Sequence, residues 1–470
     1  MQIRFGTDGW RGEIAREFTF DNLSLVAQAT MDWMNREGLA EKGLVVGYDR
    51  RFLSPEFARR VAEVAAGNGI RTLFCDEVVP TPALSWAVRQ QGAGAGVMIT
   101  ASHNPPSYNG FKIKESYGGS ARPTTTGLLE QIVAYNLEHA RLVRAVSFDE
   151  GSRLGVIEPF DATTGYLRQL GHYVDLESIR RVAIPAIADP MYGAGIGFFR
   201  RLLQIDELHD TPNPSFGGRP PEPIGEHLQE LCGLLASGRY RVGLALDGDA
   251  DRIGAVDERG EFFSSHGIFT LLLKHLVERK GRSGTVVKTV STTRLVDCLA
   301  EKYQLPLVET PIGFKHICEQ MLGQEVLMGG EESGGLGVAG HIPERDGILM
   351  GLLLLETIAA TGKGVREQLD EIMAEQGQFA YRRIDTHIGH EEKQQLLDRL
   401  RTEPPTVIAG RAVSSTNFSD GFKFLFDNGD WLLIRPSGTE PVLRLYSEAS
   451  EPAMVETLLR GAQQLAKFKV

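Results

Sequence analysis

Four segments carry residues whose types and spacing suit chemistry. Thr100-Ala-Ser-His-Asn-Pro-Pro-Ser-Tyr-Asn-Gly-Phe-Lys112 sets a serine where an apolar run ends. An exposed serine there, with Pro105 and Pro106 fixing the backbone behind it, suits a nucleophile or a phosphate carrier. Gly110 lets the chain return so that Lys112 reaches the same point; taken alone, the turn also reads as a plain loop, and His103 as a hydrogen-bonded loop residue.

Asp247-Gly-Asp-Ala-Asp-Arg252 places carboxylates at alternate positions after another apolar run. If the loop curls at Gly248, Asp247, Asp249 and Asp251 converge on one cation, and an all-oxygen set suits Mg²⁺. An EF-hand is excluded, since a loop opening at Asp247 has Arg252, not glycine, at position 6. The alternative is an acidic surface turn, which mutual repulsion disfavours. Gly329-Gly-Glu-Glu-Ser-Gly-Gly335 offers two acids and a hydroxyl able to bond sugar hydroxyls, or else is a flexible acidic loop. Arg435-Pro-Ser-Gly-Thr-Glu-Pro-Val-Leu-Arg444 offers a guanidinium, hydroxyls and free amides around Gly438. That combination makes a phosphate cradle, or else a hairpin turn.

The elements that must position these segments follow one form: short apolar runs, each ended by a polar turn. Leu44–Asp49, Thr72–Asp76, Gly96–Ser102, Val182–Asp189, Val242–Asp247 and Thr285–Ser291 read as strands, with helical patterns over Pro55–Gly67 and Val365–Glu375. The fold class is therefore α/β, with ligands expected in loops beyond the strand ends. Breaks in the rhythm divide the chain into 1–150, 151–257, 258–377 and 378–470: three similar mixed α/β domains and a smaller α+β C-terminal domain. The Pro-rich stretch Thr211–Pro223 reads as a surface loop, ordered or partly mobile.

Composition narrows the partners. With 42% hydrophobic residues the chain has material for several cores. Lys and Arg number 50 against 61 Asp and Glu, a net charge of −11, which argues against nucleic acid as a partner. The longest apolar run, Gly347–Leu355, ends at Glu356, far short of the ~20 residues that span a membrane. The start MQIRFGTDGW lacks the pattern of a secretory signal, and Cys75, Cys232, Cys298 and Cys318 form no CxxC pair. A cytoplasmic protein with four reduced, mostly buried thiols is expected, either monomer or homodimer.

A phosphate-carrying hydroxyl, a metal cluster, a polyol loop and a second phosphate cradle are the parts of a phosphosugar phosphoryl-transfer site. The sequence resembles the α-D-phosphohexomutase family, which includes phosphoglucomutase, phosphomannomutase and phosphoglucosamine mutase. The resemblance spans nearly the whole chain, through FGTDGWRG, TASHNPPSYNGFK, DGDADR, GGEESGG and RPSGTEPVLR in that order. It implies four domains around a central cleft and an isomerase of the intramolecular phosphotransferase kind. Ser102 would be the phosphorylated serine. Asp247, Asp249 and Asp251 would bind one Mg²⁺, with a phosphoryl oxygen on Ser102 completing the site. Arg11 and Arg252 would neutralise the phosphoryl group, and His103 and Lys112 would transfer or support a proton. Lys315, Glu331 and Ser333 would hold the sugar, and Arg435, Ser437, Gly438 and Thr439 the distal phosphate.

The resemblance further implies that phosphoserine gives a hexose monophosphate its second phosphate, that the bisphosphate turns over, and that the serine is rephosphorylated. Glucose 1,6-bisphosphate would then be both intermediate and activator. Two departures stand out. Ala250 replaces a glycine common in relatives. Glu332 and Gly335 stand where phosphoglucosamine mutases have glutamine and histidine, a pattern closer to glucose-specific members. The expectation is interconversion of glucose 1-phosphate and glucose 6-phosphate, with a phosphomannomutase or dual enzyme as the alternative. A phosphatase, a bisphosphate synthase and a non-enzymatic sensor are weaker alternatives; a sensor needs neither Ser102 nor three clustered aspartates.

Overall fold

The buried apolar runs become the central strands. In the computed structural model, which describes residues 3–6, 8–437 and 442–467, the chain divides into two units: Met1–Thr285 with Gly313–Gln368, and Val286–Ile312 with Leu369–Val470.

The first sheet of the first unit runs Trp10–Glu13, Tyr108–Glu115, Ala95–Ile99, Leu44–Tyr48, Thr72–Cys75, Ile157–Phe160. Leu44–Tyr48 lies parallel to both Ala95–Ile99 and Thr72–Cys75, while Tyr108–Glu115 is antiparallel to Ala95–Ile99 and to Trp10–Glu13. Leu44–Tyr48 and Ala95–Ile99 are buried along their whole length, as unbroken apolar strands covered on both faces must be. Helices Phe20–Arg36 and Ser54–Gly67 supply one cover, through Leu23, Val26, Phe57 and Val61. Thr19 starts the first of these helices, its Oγ1 accepting the Asn22 N–H at 3.2 Å.

The second sheet runs Phe262–Phe263, Ile253–Val256, Val242–Leu246, Ala186–Asp189, Asp206–Glu207. Val242–Leu246 and Ile253–Val256 form an antiparallel hairpin whose connection is the Asp247–Arg252 segment. The strand expected from Val182 is shorter and starts at Ala186. Val182 instead closes the helix Leu176–Val182, which Asp175 caps by accepting the Ser178 N–H at 2.9 Å. The Pro-rich stretch also differs from a plain surface loop: Phe216, Pro221 and Pro223 are buried, and the Pro221 carbonyl accepts the Gly248 N–H.

Further along, Val326–Gly330 pairs antiparallel with Leu336–Val338. The apolar run after Asp346 is the buried helix Gly347–Thr361, capped by the Asp346 carboxylate on the Leu349 N–H at 2.8 Å. Among the described residues no single helix is long and apolar enough to cross a membrane. Cys75 and Cys318 are buried, whereas Cys232 and Cys298 are only half-buried.

In the second unit, the strand Thr285–Thr289 from Val286 onward pairs in parallel with Leu307–Thr310, beginning at Val286↔Leu307. The C-terminal part is an antiparallel sheet ordered Ala380–His387, Val442–Ala449, Trp431–Pro436, Phe422–Leu425, Ser415–Asn417. Leu396 and Leu400 of helix His390–Thr402 and Leu458 of helix Pro452–Lys467 join Phe424, Ile434 and Leu445 in its core. Mixed α/β parts followed by a smaller α+β part match the fold class read from the sequence.

Candidate active site

Ser102 stands three residues past the strand Ala95–Ile99, and it is fully buried rather than exposed. Its Oγ donates to Asp247 Oδ2 at 2.6 Å and lies 3.4 Å from His103 Nδ1. Its backbone adopts φ +53°, the left-handed region that side chains enter rarely. The chain returns at Pro105–Tyr108, closed by the Tyr108 N–H on the Pro105 carbonyl, so Gly110 is already in the next strand, opposite Arg11. Lys112, two residues on, is buried in that strand opposite Met98.

Asp247, Asp249 and Asp251 are all fully buried, and one carboxylate oxygen from each lies within 4.8 Å of the others. The loop curls at Ala250, with φ +60°, not at Gly248. Gly248 serves close approach instead: a Cβ there would stand 2.5 Å from the Ser102 carbonyl oxygen. Thr81 grips Asp249, its Oγ1 donating to Oδ2 at 2.5 Å and its N–H to the Asp249 carbonyl. Among the described residues, the buried Oδ1 atoms of Asp249 and Asp251 find no hydrogen-bond partner. Buried carboxylate oxygens of that kind, in an oxygen-only set, fit a hard divalent cation. Burial first, then repulsion from Asp249 and Asp251, pushes the Asp247 carboxyl well above the usual range.

Cations surround the acids. Lys112 Nζ donates to Asp249 Oδ2 at 2.7 Å and Asp251 Oδ2 at 3.0 Å, and pairs with Asp8 at 2.8 Å. Burial alone would lower its pKa, but Asp249, Asp251 and Asp8 overturn that and raise it; the group stays an ammonium. Arg11 donates to Asn104 Oδ1 at 2.6 Å, and the Arg252 N–H to Asp247 Oδ1 at 3.0 Å. His103 is held well below the ordinary imidazole range by burial and by Arg252, Arg11, Lys112 and Arg345, so it is neutral, with a lone pair for a proton.

The Glu331 loop is stitched to the metal loop. The Ile253 N–H donates to the Gly334 carbonyl at 3.0 Å, and Arg252 bridges Gly335. Glu331 Oε1 accepts the Gly313 N–H at 2.9 Å, and burial pushes its carboxyl up to about 7 against the pull of Arg345. The Arg345 guanidinium donates to Asp8 and, at 2.5 Å, to Asp251, and lies 3.7 Å from Glu331. Ser333 is half-buried beside Glu331. Lys315, in the first turn of helix Phe314–Gly323, lines a small cavity with Asp8, Gly9 and Ser120.

The second unit carries Arg435 and Ser437. Arg435 Nε donates to Asp420 Oδ1 at 2.9 Å, and Asp420 Oδ2 accepts the Ile312 N–H at 2.8 Å. Ser437 is buried; its N–H donates to the Val442 carbonyl and its own carbonyl accepts Lys393 Nζ at 2.5 Å. Gly438 and Thr439 lie outside the described residues.

Models of the phosphoglucomutase/phosphomannomutase α/β/α domains I, II and III match residues 2–139, 164–260 and 264–376, and the model of its C-terminal domain matches 391–461. The phosphoglucomutase/phosphomannomutase of Thermococcus kodakarensis is 30% identical over 471 residues, covering 98% of each chain. The chain belongs to the phosphoglucomutase/phosphomannomutase family. A "Probable phosphoglucosamine mutase" of Methanothermobacter thermautotrophicus is 31% identical over 450 residues, covering 94% of this chain and 93% of its own. The crystal structure of a "putative phosphomannomutase" from Thermus thermophilus superposes with a TM-score of 0.85 at 36% identity, each chain covered fully. As a phosphohexomutase, the protein is an isomerase that acts by phosphoryl transfer within a hexose phosphate.

Within this phosphohexomutase the first unit gathers Ser102, His103, Lys112, Arg11, Arg252 and the three aspartates directly, and Glu331 through Arg345. Sequence reasoning missed Asp8, Arg51, Thr81 and Arg345. Asp8 stood in the quoted FGTDGWRG motif and Arg345 directly before the Asp346 helix cap; those were the available signals.

Proposed function

We propose that the protein interconverts glucose 1-phosphate and glucose 6-phosphate through a phosphoserine at Ser102 and a glucose 1,6-bisphosphate intermediate. The observation that carries this reading is the bond from Ser102 Oγ to Asp247, beside neutral His103 and within a ring of cations. A buried serine in that setting suits phosphoryl transfer, in which positioning and charge do most of the catalysis.

In the forward step a sugar hydroxyl attacks the phosphorus on Ser102. The new O–P bond forms as the Ser102 Oγ–P bond breaks. His103 accepts the hydroxyl proton, and Lys112, held as an ammonium, balances the carboxylates nearby. Arg11 and Arg252 meet the charge of the transferring group, as preorganised donors do. Asp247, Asp249 and Asp251 would hold Mg²⁺, which when bound would supply positive charge to stabilise the transferring phosphoryl group. Glu331 and Ser333 take the sugar hydroxyls, Lys315 stands at the edge of the sugar site, and Arg435, Ser437, Gly438 and Thr439 take the phosphate that does not react. After the bisphosphate turns, the same groups run the step backwards and return a phosphate to Ser102.

Preference for glucose is supported by the Glu331–Gly335 loop. A Cβ on Gly335 would stand 2.3 Å from Arg345 Cδ, so the histidine expected of phosphoglucosamine mutases finds its space taken by Arg345. Dual action on mannose phosphates is the second reading, favoured by the name of the Thermococcus kodakarensis relative; sugars differing at C2 are separated weakly unless a polar group is left unpaired. A coupled assay of glucose, mannose and glucosamine 1-phosphates under identical conditions tests both. Turnover of glucose 1-phosphate well above the other two is expected; equal turnover of glucose and mannose selects the dual enzyme, and preference for glucosamine 1-phosphate overturns the reading.

A further inference from the structure

We propose that Arg51 is the positioning residue of the phosphoryl-carrying serine, a proposal that rests on the reading of Ser102 as the carrier. Arg51 lies just past the strand Leu44–Tyr48, and its side chain is fully buried. One guanidinium nitrogen donates to the carbonyls of Ser102 at 2.6 Å and Asn104 at 2.7 Å. The other donates to the carbonyls of Pro105 at 2.8 Å and Tyr108 at 3.0 Å. Four carbonyls of one loop thus converge on one side chain that touches no reacting atom.

The loop needs such a hold. Ser102 sits in the left-handed region, a conformation that persists only where the surroundings over-determine it. The prolines stiffen single torsions, but Arg51 ties the start of the loop to its end. Only arginine offers a planar fork of donors on one rigid group; a lysine ammonium has three donors at one point.

Arg51 is itself fixed. Asp49 pairs with it at 3.3 Å, and the Phe216 ring lies under its guanidinium at 4.9 Å. Asp49 also accepts the Thr100 hydroxyl at 2.6 Å, and Thr100 Oγ1 accepts the Ser102 N–H at 2.9 Å. Ser102 is therefore held at its carbonyl by Arg51 and at its amide through Thr100, which leaves Oγ aimed at Asp247. Arg51 also orders Asn104, whose side chain anchors Arg11.

The test is Arg51→Lys in the full chain with Mg²⁺, beside Ser102→Ala. It reads kcat and KM, the melting curve, and the rate at which purified phosphoenzyme releases inorganic phosphate. Displacing the serine by about 1 Å is expected to lower kcat roughly a hundredfold with KM nearly unchanged. Phosphate release from the phosphoenzyme should rise, since a loosened loop admits water. A kcat loss no larger than the loss of folded protein, with phosphoserine lifetime unchanged, overturns the proposal, as does a rise in KM with kcat intact. If Arg51→Lys fails to fold, Thr100→Val cuts the second hold and is judged by the same results. Full mutase activity in Ser102→Ala would instead strike the function reading itself, which keeps the two failures apart.

Discussion

The Lys112 ammonium lies 2.7 Å from Asp249 Oδ2, so a buried lysine balances a carboxylate of the same cluster that is assigned to Mg²⁺. Removing one partner of a buried ion pair leaves the other charge uncompensated and costs about 3–5 kcal/mol. Lys112→Met should therefore melt well below the parent without metal. Added Mg²⁺ should recover more of that loss than it adds to the parent, because it binds only the folded chain. Melting curves with Mg²⁺ and with chelator check this. Equal Mg²⁺ effects on both proteins would count against a shared charge balance.

Ser102→Ala should abolish both turnover and the species one phosphoryl group heavier in an intact-mass spectrum. Stability should change little, by about 1 kcal/mol, the net worth of one hydrogen bond to Asp247. Loss of activity with a persisting heavier species would place the phosphate on another residue.

Glu331 gives a pH dependence with a definite sign. Its carboxyl is pushed from 4.5 to about 7 by burial, so the folded chain binds a proton there that the unfolded chain releases. The associated stability is complete below about 4.5 and is lost as pH rises through about 7, about 3 kcal/mol in all. Sugar capture should run the other way, rising through about 7 as the carboxylate forms. Denaturation midpoints and kcat/KM across that window should both flatten in Glu331→Gln; an unchanged pH profile in that variant would assign the titration elsewhere.

Asp420 holds Arg435 at 2.9 Å. Arg435→Ala deletes a charge-assisted contact worth about 1.5–3 kcal/mol, roughly ten- to a hundredfold in affinity. Asp420→Asn should give a smaller loss of the same kind. If the cradle serves both orientations of the sugar, the 1-phosphate and the 6-phosphate weaken alike and free bisphosphate accumulates. Kinetics in both directions decide it; a loss in one direction alone would give Arg435 a single binding mode.

The strand ends and their polar turns were legible because buried strands read as unbroken apolar runs, and Leu44–Tyr48, Ala95–Ile99 and Val242–Leu246 are of that kind. The residues missed act over distance along the chain. Arg51 reaches Ser102 across 51 positions, Arg345 reaches Asp251 across 94, and Thr81 reaches Asp249 across 168. No local pattern encodes such contacts. Ser102 was expected exposed because a loop serine usually is; in this fold the metal loop closes over it, with Gly248 allowing the approach. Val182 reads as strand because an apolar run follows it, whereas the structure ends the helix Leu176–Val182 there.

The packing of Arg345 against Gly335 has a consequence for engineering. A side chain at position 335 would bring its first carbon to 2.3 Å from Arg345 Cδ, so the arginine or the loop must shift to admit it. The two side chains compete for one volume, although the chain separates them by a strand and a turn. Grafting a relative's loop that carries a side chain at 335 into this scaffold by residues 329–335 alone would push on Arg345 and strain its bond to Asp251. A transplant that carries position 345 with the loop moves both halves of the fit together.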